Sequence, residues 1–352
     1  ENISIISVSG GVGIGKTRFV SEGPSVVRDY CENDELRAMA QQIQHPLALV
    51  FGFNGLTPFK GNSERNIDAS ICARLLYTYF EMKPEEMYEL AEALSSVFMP
   101  TRCCHLIIDH HRKKHKLDDS QPLFVYVGID EVNVFVTEQD DNKLVKDDIK
   151  LLKYALLCVR GICNEAPEHA FITAVVAGTH SEALREAFRG TGITQLPLPL
   201  PTLTLEERLE LLRLDTDLDA RYFSCAKFLR LMQDIGGGLR GVGTMVKHLP
   251  KTYDVSRIVS AQEEVEMYFR DKSSPLSREE FEVVLALVVS GYPVMPTAKV
   301  TPTSQFTLDS LQNVGTLQLR QARPGDAHNS RVEVPWLLLS AASAALPSDS
   351  ES

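Results

Sequence analysis

The sequence predicts an α/β fold with a five-stranded parallel sheet, followed by a helical lid and a small C-terminal module. Five apolar runs of strand length alternate with helical patterns up to residue 201, as crossovers in a parallel sheet require. Beyond residue 201 the strand patterns stop, and helical periodicity takes over. At about 150 residues per domain, the 352 residues suffice for two domains and a small third one.

Residues 3–8 form a β-branched run that precedes a glycine-rich turn and a helical stretch at 16–28. The run at 123–129 is apolar on both faces, which is typical of a central parallel strand. The remaining strands are predicted at 46–53, 171–177 and 193–200. The remaining helices before residue 201 are predicted at 69–80, 84–97, 101–115 and 147–164.

Four consecutive helices are predicted after residue 201, at 205–214, 220–235, 239–249 and 260–270. A linker at 272–275 precedes helices at 278–290 and 307–314 and strands at 316–320 and 331–338, joined by a turn at 323–326. The order helix, helix, hairpin predicts a winged-helix-like module. The expected domains are therefore a core at 1–201, a lid at 202–272, the module at 273–340 and a frayed tail at 341–352.

Composition excludes several classes of protein. The net charge of −11 gives no bulk positive field, so nucleic-acid binding would need a local patch or a further domain. The seven cysteines are scattered without a C-x-x-C pair, which indicates reduced thiols in a reducing compartment. No apolar run of membrane-spanning length occurs, and no targeting signal is visible, although the chain opens without a methionine.

The strongest motif follows the first strand and opens the first helix. It satisfies the pattern G-x-x-x-x-G-K-[ST], in which backbone N–H groups surround phosphate oxygens at a helix N-terminus. Lys16 is expected to reach the β and γ phosphates of ATP, and the Thr17 hydroxyl to bind Mg²⁺. The predicted nucleotide-binding residues are Gly10, Gly11, Val12, Gly13, Ile14, Gly15, Lys16, Thr17 and Arg18.

A second motif ends the third strand. Asp130 and Glu131 follow the run at 123–129, at the edge where open α/β sheets place their ligands. Asp130 is predicted to hold Mg²⁺, directly or through water. Glu131 is predicted to act as the catalytic base that polarises the attacking water.

Two further positions are weaker candidates for catalysis. Thr179, with His180 as second choice, follows the fourth strand, where a polar side chain can contact the γ phosphate or the water. Arg240 follows the glycines at 236–238 and is predicted to sense the γ phosphate from the lid, unless those glycines only cap a helix. Arg185 and Arg189 are additional candidates for stabilising charge.

The segment 103–115 is rich in cysteine and histidine, and His111 and His115 are spaced as a possible zinc pair. The other candidate ligands scatter around a helix at 101–115, which favours structural histidines. The basic run at 112–116 could bind nucleic acid or direct nuclear import, but it also complements the helix C-terminus, and that interpretation is preferred.

Taken in order, the phosphate loop, Phe53-Asn54-Gly55, Ile129-Asp130-Glu131-Val132-Asn133, Ala177-Gly178-Thr179 and Gly236-Gly237 with Arg240 resemble a known family. The resemblance is to the ATPase module of Crinkler-type effectors and the related retrotransposon hot-spot proteins, in the STAND/AAA+ group of P-loop NTPases. It covers about residues 3–340. It implies ATP and Mg²⁺ as ligands, secretion, and action in a host cell or its nucleus. The translocation header and toxin domain of that family are not recognisable in this sequence.

The sequence thus predicts an ATPase that works as a nucleotide-dependent switch, with a protein partner or self-association and no membrane contact. One alternative is a nucleotide-binding scaffold that does not hydrolyse ATP, against which the intact Lys16, Thr17, Asp130 and Glu131 argue. The other alternative is a DNA-binding regulator that uses the winged-helix-like module, against which the acidic balance argues.

Overall fold

The structure is a computed structural model, and it forms two compact units. The first contains residues 1–9 and 16–199, and the second contains residues 10–15 and 200–352. The residues that the structure describes are 3–9, 15–30, 38, 45–54, 57–60, 64, 66–94, 98–135, 146–179, 181–198, 200, 203–235, 239–272, 276–308, 310–311, 317–321 and 329–335.

The first unit contains the predicted five-stranded parallel sheet. Its strands are β1 (Ile3–Ser9), β2 (Leu47–Gly52), β3 (Leu123–Asp130), β4 (Ala170–Gly178) and β5 (Ile193–Pro197). Their order across the sheet is β2-β3-β4-β1-β5, with every pairing parallel. The α/β fold class with a parallel sheet is therefore confirmed. In this order β1, the first strand in sequence, lies between β4 and β5 and pairs with both.

Helices connect the strands of this unit. They are α1 (Lys16–Tyr30), α2 (Ile67–Phe80), α3 (Pro84–Ala93), α4 (Pro100–His115), α5 (Lys146–Asn164) and α6 (Ser181–Phe188), with a 3-10 helix at Val132–Phe135. Local chemistry explains several boundaries. The Asn66 side chain accepts from the Ala69 amide at the start of α2, and α3 and α4 both begin at a proline, which suits a first helical turn.

The core of the first unit lies where the sheet meets these helices. β3 is buried on both faces, as predicted: Val125, Val127 and Ile129 lie among aliphatic side chains, and Tyr126 faces the opposite side. Cys72, Cys103 and Cys104 are fully buried in the same unit. Burial raises the pKa of the Cys104 thiol to about 12, so this thiol stays protonated and acts as a small apolar side chain.

After residue 203 the second unit begins with a series of helices. Its helices are α7 (Leu205–Asp215), α8 (Ala226–Asp234), α9 (Leu239–His248), α10 (Val255–Lys272) and α11 (Arg278–Ser290). The core of α7–α10 contains the fully buried rings of Tyr222 and Phe228. Among the described helices of both units, none combines the length and the apolar character needed to cross a bilayer.

The prediction of one continuous helix at 220–235 is wrong. A 3-10 helix at Ala220–Ser224 is separated from α8 by Cys225, whose backbone is extended (φ −83°, ψ 119°). The Asp219 carboxylate accepts from the Arg221 amide at 2.9 Å, which closes a tight turn. The break lets the Tyr222 hydroxyl accept from the Asp254 amide at 3.0 Å, so a tertiary contact overrides the local periodicity.

The helix predicted at 260–270 also begins earlier, at Val255. Asp254 accepts hydrogen bonds from the Ser256 amide and hydroxyl, as a side chain at a helix start does. Val255 and Val259 are exposed, and the buried positions of this helix begin at Ile258, so no apolar stripe marks its first residues.

The C-terminal part contains α11 and an antiparallel hairpin of β6 (Gln318–Gln321) and β7 (Ser330–Glu333). The Ser310 amide donates to Thr307 Oγ1 at 3.1 Å, and Leu308, Ser310 and Leu311 are helical. Residues 312–316 and 322–328 lie outside the described part of the chain. The predicted winged-helix-like module and the tail at 341–352 stay predictions.

Candidate functional site

The carboxyl ends of three neighbouring strands bring the predicted site residues to one edge of the sheet. Ser9, the last residue of β1, is in register with Gly178 of β4, directly before Thr179. On the other side of β4, Ile129 of β3 is in register with Val176. Asp130 follows Ile129 directly and ends β3. β1, which the phosphate-loop motif follows in sequence, therefore ends beside the strand that precedes Thr179, and Asp130 lies one strand further on.

The described part of the phosphate loop has the predicted strand–loop–helix context. Gly15 has φ +94°, in the left-handed region that favours glycine. Lys16 opens α1 and is only 5% exposed, which is unusual for lysine. Thr17 and Arg18 are exposed, and Arg18 Nε donates to Glu22 Oε1 at 2.9 Å. Gly10–Ile14 lie outside the described residues, so nucleotide binding by this loop stays a prediction.

Asp130 carries the clearest sign of a missing partner. Its Oδ1 atom is buried and accepts no hydrogen bond from any of the residues that the structure describes. A buried polar atom left without a partner costs about 1–3 kcal/mol, and more when it is charged. Mg²⁺ prefers oxygen ligands and retains bound water, so a magnesium ion or its water would satisfy this atom. The residues at this edge thus fit the predicted cation.

Glu131 has an unusual backbone conformation. Its φ is +56°, and its carbonyl accepts from the Val134 amide at 3.2 Å, which starts the 3-10 helix. The left-handed region costs a residue with a side chain about 1–2 kcal/mol. His45, Glu81, Lys116 and His169 share this conformation, so it describes how the chain turns after β3 and does not by itself identify a catalytic base.

The other predicted catalytic residues are placed less completely. Thr179 is buried at the end of β4, and His180 lies outside the described residues. Arg185 is exposed on α6, and Arg189 forms a surface ion pair with Glu186 at 2.6 Å. Arg240 lies in the first turn of α9 in the second unit. Neither its side chain nor the glycines at 236–238 are among the described residues, so its sensing role stays a prediction.

Sequence reasoning missed a close contact between α1 and β3. A Cβ atom added to Gly128 would lie 2.7 Å from Val20 Cγ1, and one added to Gly23 would lie 2.4 Å from Tyr126 Oη. The Tyr126 hydroxyl donates to the Val20 carbonyl at 2.9 Å. The signals for this contact are two glycines and a tyrosine in otherwise apolar or helical runs, and none of them specifies its partner.

A buried ion pair beside the site was also missed. Arg74 on α2 is fully buried, and its Nη1 contacts Glu64 Oε1 at 2.5 Å. The same guanidinium donates to the carbonyls of Gly52 (3.2 Å) and Thr57 (2.9 Å). Gly52 ends β2 in register with Asp130. Arg74 therefore ties the chain that follows β2 to α2, directly next to the strand end that carries Asp130.

The histidines of α4 are held by neighbouring groups. His111 Nε2 lies 2.9 Å from the His45 carbonyl oxygen, and the His115 ring stacks on the His45 ring at 4.4 Å. Burial lowers the pKa of His111, so its ring is neutral at pH 7. Within the described ranges, no group of three or more histidine, cysteine, aspartate or glutamate side chains is arranged to hold a metal ion.

The basic side chains that end α4 have structural contacts as well. Arg112 is buried, and its Nη1 donates to the carbonyls of Asp118 and Gln121 at 2.7 and 3.0 Å. Lys116 ends the helix in the left-handed conformation. Arg112 thus closes the helix end onto the loop before β3, whereas Lys113 and Lys114 are exposed.

No protein-family model matches the sequence, and comparison with curated proteins finds no significant match. Among solved structures, the chain is similar to Aeropyrum pernix Orc1 in complex with DNA (14% identity, TM-score 0.38, covering 98% of this chain and 87% of that one). It is also similar to the Thermotoga maritima RuvB Holliday junction branch migration motor (13% identity, TM-score 0.35, covering 95% of this chain and 86% of that one). A third similar structure is the FIGL-1 AAA domain in complex with ADP (13% identity, TM-score 0.34, covering 81% of this chain and 77% of that one). Because these identities and TM-scores are low, the fold class is assigned from the parallel strand order described above and not from these similarities.

Proposed function

We propose that this chain binds ATP with Mg²⁺ and hydrolyses it, as a P-loop NTPase of the STAND/AAA+ type that acts as a nucleotide-dependent switch. The observation that carries the proposal is the buried Oδ1 atom of Asp130, which lacks a partner among the described residues. It lies at the carboxyl edge of a parallel sheet, where such folds place ligands. The phosphate-loop motif begins at this same edge, directly after β1.

In this proposal the residues 10–18 hold the phosphates through backbone N–H groups and the Lys16 ammonium, and Thr17 and Asp130 hold the cation. When bound, Mg²⁺ supplies positive charge to the phosphate oxygens. A low exposure suits Lys16 for this role, because a desolvated ammonium interacts more strongly with an anion than a hydrated one does.

Glu131 would accept the proton of the attacking water through its carboxylate. The left-handed backbone at this position turns the chain sharply as it leaves the sheet, directly after the cation ligand. Thr179, buried at the end of the neighbouring strand, would orient the water or the γ phosphate with its hydroxyl. General-base assistance of this kind contributes about 10²–10⁴-fold to a rate.

The test separates binding from hydrolysis. Calorimetric titration with ATP and Mg²⁺ should show binding to the wild-type chain. Lys16→Ala should bind about tenfold or more weakly, since a charge-assisted hydrogen bond contributes about 1.5–3 kcal/mol. Lys113→Ala, which removes an exposed lysine from α4, is the matched control and should bind as the wild type does. Equal affinity of all three proteins would refute the nucleotide site.

Glu131→Gln should retain ATP binding and lose about 10²-fold or more in turnover. A wild-type chain that binds ATP without turnover would instead be a nucleotide-binding scaffold. Unchanged turnover in Glu131→Gln would assign the catalytic base to another residue.

The resemblance to Crinkler-type effectors extends the proposal to a biological setting. It would make this chain the ATPase module of a secreted protein that acts in a host cell or its nucleus, with a protein partner or a second copy as the target of the switch. Contact with nucleic acid would then need the C-terminal module or a further domain, because the net charge of the chain is −11. Sedimentation of the chain with ATP and with ADP tests self-association. A steep salt dependence of DNA affinity would favour a DNA-binding regulator instead.

A further inference from the structure

Pro24 interrupts the hydrogen bonding of α1 near its middle. In a helix, the carbonyl of residue 20 accepts from the amide of residue 24. Proline has no N–H, and its ring crowds the carbonyl four residues earlier. The Val20 carbonyl therefore loses its helical donor on the face of α1 that contacts the sheet.

Tyr126 supplies the missing donor from outside the helix. Its hydroxyl donates to the Val20 carbonyl at 2.9 Å, and its side chain is 2% exposed. Burial raises the pKa of this hydroxyl, which keeps it protonated and able to donate. The ring approaches the helix at Gly23, where a Cβ atom would lie 2.4 Å from the hydroxyl oxygen. A proline, a glycine and a tyrosine thus form one complementary contact between α1 and β3.

The contact joins the two elements that carry the site. Val20 lies four residues after Lys16 on α1, and Tyr126 lies four residues before Asp130 on β3. A shift of α1 along β3 would move the lysine relative to the carboxylate. Displacements of about 1 Å in a site of this kind can reduce a rate by about 10²-fold.

We propose that Tyr126 is a positioning residue for the nucleotide site, which holds α1 at one fixed position against β3 through the Val20 carbonyl. The inference rests on the proposed nucleotide binding, and it assigns Tyr126 no contact with the nucleotide. With any other residue at position 24, the amide of that residue could donate to the Val20 carbonyl within the helix. Pro24 has no amide hydrogen, so this carbonyl is left for the Tyr126 hydroxyl.

The test is a cycle of Tyr126→Phe, Pro24→Ala and the double variant, measured on the full chain by calorimetry with ATP and Mg²⁺. Tyr126→Phe keeps the ring and removes the donor, and binding should weaken about three- to tenfold. Pro24→Ala supplies an amide that can donate to Val20. The double variant satisfies the Val20 carbonyl within the helix but still lacks the hydrogen bond from β3 to α1, so it should bind ATP about as weakly as Tyr126→Phe does.

Tyr154→Phe is the matched control, because it removes a hydroxyl that donates to Asp68 in the same unit, away from α1. It should leave ATP affinity unchanged. Hydrogen exchange without nucleotide gives a second readout: amides of residues 16–23 should exchange faster in Tyr126→Phe and return toward the wild-type rate in the double variant.

A wild-type chain that binds no ATP would refute the proposed function and this inference with it. Normal wild-type binding together with equal affinity in Tyr126→Phe would overturn only the positioning role. The same holds if Tyr126→Phe lowers the melting temperature without changing ATP affinity well below that temperature, since this is the result of a purely structural contact. If Tyr126→Phe does not fold, the double variant decides, and wild-type ATP affinity in a folded double variant would contradict the inference, because it would show that only the Val20 carbonyl needed a donor.

Discussion

Replacing Arg74 by methionine should be among the most destabilising single substitutions in the first unit. The Arg74 side chain is fully buried and the Glu64 side chain is 1% exposed, and the two form an ion pair. Arg74 Nη1 also donates to Ser70 Oγ at 2.6 Å. Methionine is close to arginine in length and apolar, so Arg74→Met removes the charge and the donors with little change in volume.

The magnitude follows from what the substitution leaves behind. Glu64 keeps two donors, the Ser70 hydroxyl at 3.0 Å and the Lys60 amide at 2.7 Å, but it loses its ion-pair partner Arg74. The carbonyls of Gly52 and Thr57 lose a donor as well. Breaking a buried pair from one side costs about 3–5 kcal/mol, and we expect a loss in this range.

Urea unfolding followed by circular dichroism measures this loss. Because the chain has two units, hydrogen exchange of residues 47–54 and 66–80 should accompany it, to show which unit opens. Arg230→Met is the matched control, since Arg230 is 71% exposed and pairs with Asp234 across one helical turn. The control should cost less than about 1 kcal/mol. A similar loss in both variants would refute the reasoning that burial makes the Arg74 pair indispensable.

Three further outcomes are expected. Arg240→Ala should weaken binding of a non-hydrolysable ATP analogue and leave ADP affinity nearly unchanged in paired titrations, and an equal loss of both nucleotides would exclude a sensor. Burial lowers the pKa of His111, so the unfolded chain binds a proton more readily below pH 6.5, and the urea midpoint should fall between pH 7.5 and 5.5. That fall should be smaller in His111→Gln, and an identical fall would assign the effect to other groups. Burial opposes ionisation of Cys225, but the Phe228 amide and the Tyr253 hydroxyl outweigh it and lower the pKa. Cys225 should therefore be alkylated by iodoacetamide before Cys104, as mass spectrometry of the labelled peptides can determine.

The strands of the sheet could be predicted from the sequence because their signal is local. An apolar run such as 123–129 predicts a buried strand whatever strands pair with it. Asp130 and Glu131 follow this run directly in sequence, so their place at the carboxyl end of the strand could be predicted as well. The order of the strands is not local. The pairing of β1 with β4 and β5 depends on segments far along the chain, which no periodicity encodes.

The details of the site depend on tertiary contacts in the same way. The left-handed backbone of Glu131 is associated with the 3-10 helix that follows it, and a glutamate in sequence does not signal such a turn. The donor for Val20 comes from Tyr126, more than a hundred residues away in sequence. Arg74 has the sequence context of an ordinary helical arginine, and only the fold buries it.

The central position of β1 constrains how this chain can fold as it is synthesised. β1 precedes every other strand, yet both of its neighbours lie roughly 170 residues or more downstream. At about 5–20 residues per second, a ribosome needs about 10–40 s to proceed from β1 to the end of β5. Until β4 has been synthesised, Ile5 and Val8, which are fully buried in the finished sheet, have neither neighbouring strand of β1 beside them. The phosphate-loop motif follows β1 directly, so the edge that carries Asp130 and Thr179 is completed only when this strand inserts. Under the proposed function, a growing chain gains no stability from ATP before that step.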